Sequence, residues 1–271
     1  MELPPIILRL TPDELRELRY AKSLLEQPGF AARLAGFLGK PIEQGLALLP
    51  KGAEGLIHKA ATKALSTALS LAITSLGNRR PRQASERWHK ILVGASGGVG
   101  GVFGLASLPV ELPLSTTIML RSIADIARSE GFDISAPEVK VSCLEVFALG
   151  GRSASDDTAE SSYWIVRAAL SKTVSEAATF LAQKGASEKS APVLLRLVTA
   201  VASRFGVVVS EEVAAKAVPV VGAASGSLIN VLFIDHFQDM ARGHFIVKRL
   251  EQRHGMDMVR EAYQSLAMPM K

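Results

Sequence analysis

Apolar side chains recur every three or four positions through most of this chain, with polar residues between them, and they seldom alternate. A helix turns once in about 3.6 residues, so this spacing lays an apolar stripe along one face. Thr11, Pro12 and Glu14 supply an N-cap, a first-turn proline and a capping-box acid, and Leu15, Leu18 and Leu25 follow at helical spacing. Pro28, Pro41 and Pro50 divide the next stretch into short helices. Gly52 to Leu76 is proline-free and rich in Ala and Leu, which predicts one long helix. Its later part, ALSTALSLAITSLGN, carries no charge, so burial on most sides is expected. Residues 77–87 read as a loop, with a helix restarting near Ser85. Further helices are predicted over 112–131, from the Ser135, Pro137 and Glu138 start signal to about Leu149, and over 160–183 and 190–205. GVVVS at 206–210 is the one strong strand-like run, after which Ser210, Glu211 and Glu212 are expected to open a new helix. Another helix runs from Pro219 to about His244 or beyond, and the last covers 256–267. The expected fold is all-α: a single multi-helix bundle around a buried Gly-rich helical hairpin. Residues 1–49 read as an N-terminal helical extension and residues 50–271 as the main helical domain, one compact unit.

Two segments complicate this picture. Residues 91–110 and 217–234 run for 20 and 18 positions without a charge. Gly94 and Gly98, Gly97 and Gly101, Gly100 and Gly104, and Gly222 and Gly226 each lie four apart, which on a helix makes a flat strip that another backbone can approach. The lengths are near the ~20 residues that cross a bilayer. Glycine costs ~1 kcal/mol against alanine inside a helix. The first run holds six, and Ser96, Ser107, Ser225, Ser227 and Asn230 dilute the apolar content. A hairpin buried in a soluble core is the expectation, with reversible membrane association as the alternative.

Composition narrows the class. Hydrophobic residues are 48% of the 271 and aromatics only 6%, which fits closely packed helices. A single cysteine, Cys143 in the apolar run VSCLEVFAL, allows no disulfide framework and reads as a core residue. The opening MELPPIILRLTPDEL lacks the basic start and long apolar run of a leader, so a cytoplasmic location is expected, peripheral at the inner membrane if lipid is bound. A formal net charge of +5 is mild, and nucleic-acid binding is not expected. The densest basic cluster is Arg79, Arg80, Arg82, Arg87 and Lys90. It reads as a solvated loop, or as a surface attracted to anionic headgroups at ~1 kcal/mol per well-placed cation.

Candidate chemistry is sparse. Gly94-Ala95-Ser96-Gly97-Gly98 matches a nucleophile elbow, but no strand–helix alternation surrounds it. Phe103 stands where a dinucleotide fingerprint needs its third glycine, and no cofactor is implied. Glu111 is the only charge between Lys90 and Arg121. It favours a helix N-terminus electrostatically, or serves as a buried carboxylate with Arg121 and Asp125 as neighbours. His236 and Asp239 share a helix face, with His244 about 80° round from His236. Two ligands do not make a zinc site, so no metal is assigned.

The stretch Lys216-Ala217-Val218-Pro219-Val220-Val221-Gly222, then Gly226 and Asn230, resembles the C-terminal signature of the EcsC family. So does the tail with Ala241, Arg242, His244, Phe245 and Arg249-Leu250-Glu251, ending at Gly255. A central block also fits: Gly97, Gly98, Gly104, Pro109, Glu111 and Pro113, then Arg121, Ile123, Asp125, Ile126 and Ala127, to Gly131. The resemblance covers roughly 50–265 and makes 50–271 an EcsC-like domain. Val231 and Leu232 depart from it, where the family often has an aromatic residue after the Asn. The resemblance implies a bacterial family largely of unknown function, named after a member encoded beside an ABC transporter. It carries over no catalytic residues.

Three readings follow. In the first, a non-enzymatic accessory or scaffold works at the cytoplasmic membrane face, with an anionic membrane surface or a membrane protein complex as partner. In the second, an enzyme, hydrolytic or metal-dependent, works from Glu111, Arg121, Asp125, Asn230 and His236, with Asp239 a further candidate. The third is a soluble partner-binding domain.

Overall fold

Ten helices and no strand make up the described residues of the computed structural model, which are 10–26, 29–39, 42–75, 105, 108–151, 162–185, 191–217 and 223–266. In chain order they are α1 (Pro12–Leu25), α2 (Phe30–Leu38), α3 (Ile42–Ala47), α4 (Ala53–Ser75) and α5 (Leu108–Ser129). Then come α6 (Pro137–Leu149), α7 (Ser162–Lys184), α8 (Pro192–Ala217), α9 (Ala223–His254) and α10 (Met256–Ser265).

The strongest local signal forms as its residues dictate. The Thr11 hydroxyl accepts from the Glu14 N–H at 3.2 Å, and the Glu14 carboxylate accepts from the Thr11 N–H at 3.0 Å. Both orphan donors of the first turn are thereby satisfied. Glu14 also meets His254 Nε2 at 2.9 Å, tying the start of α1 to the end of α9.

Two expectations are corrected. The strand-like 206–210 run is helix, and α8 continues through it for 26 residues without the new start at Ser210. Phe205, Val208, Val209 and Glu212 are all buried there. They fall three or four apart, so burial of that stripe overrides the β preference of three successive valines. Helix α5 begins at Leu108, so Glu111 sits inside its first turn, with Pro113 just beyond. The Gly-rich run at 91–104 and residues 218–222 lie outside the described residues, as do Arg79, Arg80, Arg82, Arg87 and Lys90.

Helices α8 and α9 form the centre. The first packs on α2, α3, α4, α6, α7 and α9, and the second on α1, α2, α5, α6 and α10 as well. Phe147 of α6, Phe205 of α8 and Phe237 of α9 meet pairwise at 5.1–5.5 Å between ring centroids. Phe233 extends the stack to Phe30 of α2 at 5.5 Å. Helix α3 crosses α8 at Gly45, where a Cβ would overlap the Ala214 carbonyl. Only glycine allows the two backbones this close. Cys143 is fully buried, and burial pushes its thiol up to about 12.

Candidate functional site

Helix α6 is buried on nearly every side, from Val139 through Ala148 with one half-buried exception, Lys140. Its two polar interior residues, Ser142 and Glu145, are therefore carried into the protein with it. They share a face with Glu138, four and seven residues earlier. The facing side of α7 is built mostly from small residues, Ala168, Ser171, Ser175 and Ala178, with Trp164 at the inner end. Small side chains on one helix opposite polar ones on the other leave a cleft of about 620 Å³. Lys248 of α9 closes one wall. Past the elbow at Gly255, whose φ of +85° suits glycine, α10 sets Met256, Asp257 and Arg260 along the rim.

The floor of this cleft joins a buried polar chain. Arg167 of α7 makes a bidentate ion pair with Glu251 of α9, at 2.6 and 3.0 Å. Arg167 Nη1 also donates to the Tyr163 hydroxyl oxygen at 3.2 Å. That hydroxyl lies 3.1 Å from His244 Nδ1. With its oxygen accepting from Arg167, Tyr163 is best placed to donate to Nδ1, which leaves the imidazole proton on Nε2. Nε2 faces the Glu145 carboxylate at 3.6 Å, beyond hydrogen-bond length.

Burial dominates the charge states. It pushes the Glu145 carboxyl above its ordinary value, against the opposing pull of Lys248 and Arg167. Burial, then Lys248 and Arg167, hold His244 well below the ordinary histidine value, so the imidazole is neutral. Tyr163 is pushed up, chiefly by burial. Two floor groups have no hydrogen-bond partner among the described residues: Ser142 Oγ and Trp164 Nε1, on side chains of residues only 1% and 4% exposed. Lys248 is half-buried and acts electrostatically on both Glu145 and His244. Buried polar groups in folded proteins are overwhelmingly satisfied, so Ser142 Oγ and Trp164 Nε1 make the cleft floor a candidate binding place.

The residues singled out in the sequence lie elsewhere, several of them engaged by separate partners. Glu111 meets Lys216 at 3.4 Å, and Lys216 also meets the buried Glu212 at 2.8 Å. Asp125 pairs with Arg128 at 3.0 Å on its own helix. Arg121 is half-buried on α5, and Asn230 is buried on α9. His236 Nε2 lies 3.0 Å from the Gly150 carbonyl, with its ring against Phe30 and Phe237. Asp239 pairs with Arg33 of α2 at 2.8 Å. Among the described residues no three His, Cys, Asp or Glu side chains gather to hold a metal ion.

Sequence reasoning passed over Ser142, Glu145, Tyr163, Trp164, Arg167 and Lys248. One signal was present: Glu145 is the lone charge in VSCLEVFAL, the same kind of isolation that drew attention to Glu111. The protein is thus an all-helical bundle with a polar-floored cleft between α6, α7, α9 and α10. It belongs to the EcsC protein family, whose model matches residues 13–250, from the first turn of α1 to near the end of α9. No curated protein and no solved structure matches the chain.

Proposed function

We propose that this EcsC-family chain is a binding protein that takes a small organic molecule in the α6–α7–α9–α10 cleft. The observation that carries this reading is the pair of buried groups without hydrogen-bond partners among the described residues, Ser142 Oγ and Trp164 Nε1, on residues lining a cleft of about 620 Å³. That volume falls in the ~300–1,000 Å³ range of small-molecule sites. Exposed small residues along α7 form the mouth, and a ligand reaches the buried Ser142 Oγ and Trp164 Nε1 by a shift of the side chains over them. The test is a thermal-denaturation panel of organic acids, amines, alcohols and sugars against the wild type and Ser175→Trp, which fills the mouth from an exposed position. At least one class is expected to raise the wild-type Tm and leave the variant unmoved. A panel in which no class does so refutes the reading.

A role as an accessory at the cytoplasmic membrane face is the second reading, supported by the five-cation cluster at 79–90. Helix α8 is the one described helix long and apolar enough to cross a bilayer. Its packing against six other helices favours its use as a core helix. The membrane reading therefore rests on the charge of this cluster. Sedimentation with anionic vesicles across a salt series tests it. Binding that weakens with salt and is lost on charge reversal at Arg79, Arg80 and Arg82 supports it, and no binding at low salt removes it.

A further inference from the structure

We propose that the ligand of this cleft is an amphiphilic organic anion, one carboxylate or phosphate group on a short apolar chain. The head sits among Lys248, Trp164 Nε1–H and the Ser142 hydroxyl. This rests on the binding reading above and gives it a chemistry.

The inner groups form a set of donors. An indole N–H donates only, a lysine ammonium donates only, and a serine hydroxyl donates readily. Among the described residues Trp164 Nε1 and Ser142 Oγ meet no hydrogen-bond partner, and Lys248 brings a positive charge that acts on the neighbouring Glu145. Helix α10 adds a weaker contribution. It starts at this cleft with Gly255 as N-cap and no side-chain cap, so the positive end of its dipole lies at the rim occupied by Met256 and Asp257. Arg260 stacks over the Trp164 ring, 5.8 Å from its centroid, and places another cation at the mouth.

A cationic ligand suits the site less well. At the floor it would meet Lys248 beside Glu145, although Glu138 and Asp257 at the rim attract it. The anion is limited to one charged group, because Glu138 and Asp257 at the rim repel a polyanion. The rest of the ligand is apolar. Ala168, Val174, Ala178 and Met256 give the cleft an apolar side against which a short chain packs, with the Ser171, Ser175 and Thr179 hydroxyls on the rest of the lining.

Isothermal titration of the full-length protein with octanoate, octyl phosphate, octylammonium and octanol, all below their micellar concentrations, decides the matter. Octanoate or octyl phosphate is expected to bind the wild type, and the stronger of the two identifies the head group. Binding should vanish in Ser175→Trp. In Lys248→Met it should fall about tenfold or more, the scale of one charged hydrogen bond. In Trp164→Phe, which keeps the ring and removes the donor, a loss of about three- to tenfold is expected. If Lys248→Met fails to fold, Trp164→Phe carries the same test. Octylammonium or octanol binding as tightly as the anions, and lost in Ser175→Trp, overturns the anion proposal while the cleft reading stands. If none of the four binds in a manner sensitive to Ser175→Trp, both fall.

Discussion

A carboxyl group drawn into a helix that is buried all round must find cations or give up its charge. Glu145 has Lys248 and Arg167 in its neighbourhood, and burial still wins, raising its affinity for a proton. Because the folded value lies above the unfolded one, near 4.5, its favourable contribution is full below pH 4.5 and is lost as pH rises. Glu145→Gln, which keeps the shape without the charge, is therefore expected to gain on the wild type in stability as pH rises from 4 to 8. A variant that loses ground over that range contradicts the assignment. Glu14 works in the opposite sense. The hydrogen bond from His254, then that from the Thr11 N–H, holds it at about 2. Its contribution is present above pH 4.5 and lost as pH falls through 2. The wild type should exceed Glu14→Gln in stability at pH 7, and the difference should shrink as pH falls below 4.5, read from denaturant midpoints at each pH. A difference that stays constant from pH 7 to 2.5 rejects this account of the cap.

At the scale of elements, the local grammar of caps and prolines was legible because it acts within one turn. Thr11, Pro12 and Glu14 open α1 where they predict, and Pro137 opens α6. The 206–210 run misled because three adjacent valines favour a strand in isolation, while their burial is settled by helices far away in the chain. A substitution checks the continuity of α8. Gly206 lies mid-helix, and a Cβ there would meet nothing within 4 Å. Gly206→Ala should stabilise by about 0.5–1 kcal/mol, measured by chemical denaturation, since alanine loses less backbone freedom on folding into a helix. A destabilised variant would mean that α8 breaks there. The clasp between α7 and α9 is the complementary case. Removing one partner of the Arg167–Glu251 pair strands a charge that is mostly buried, with side chains 14% and 12% exposed. Glu251→Ala should cost about 3 kcal/mol in the same assay. A cost below ~1 kcal/mol would show that water reaches Arg167 freely.

At the scale of the whole molecule, the all-helical class and the family were readable from spacing and from the order of short motifs, and the family match extends them back to residue 13. The cleft was not readable. Its floor brings together Ser142, Trp164 and Lys248 from three helices, and no periodicity reports which faces meet. Even His244 and Glu251, which stand in the stretch that carried the resemblance, join the cleft only through Tyr163 and Arg167. The sequence drew attention instead to Glu111 and His236. Each is polar in an apolar context, and each is accounted for by a nearby partner, Lys216 and the Gly150 carbonyl. Isolation in sequence is thus a useful flag for a buried polar group, and the partner then decides whether the group is structural.

The central claim is that the cleft floor binds an organic ligand, and the Trp164 indole N–H is its most direct reporter. The chain has two tryptophans, Trp88 and Trp164, so a ¹H–¹⁵N spectrum carries two indole signals, assigned by the loss of one in Trp164→Phe. On titration with octanoate or octyl phosphate, the Trp164 signal is expected to move downfield and saturate as its N–H gains an acceptor, and to stay in place in Ser175→Trp. A Trp164 signal that is unmoved by every organic anion and neutral probe at saturating concentration would contradict the account.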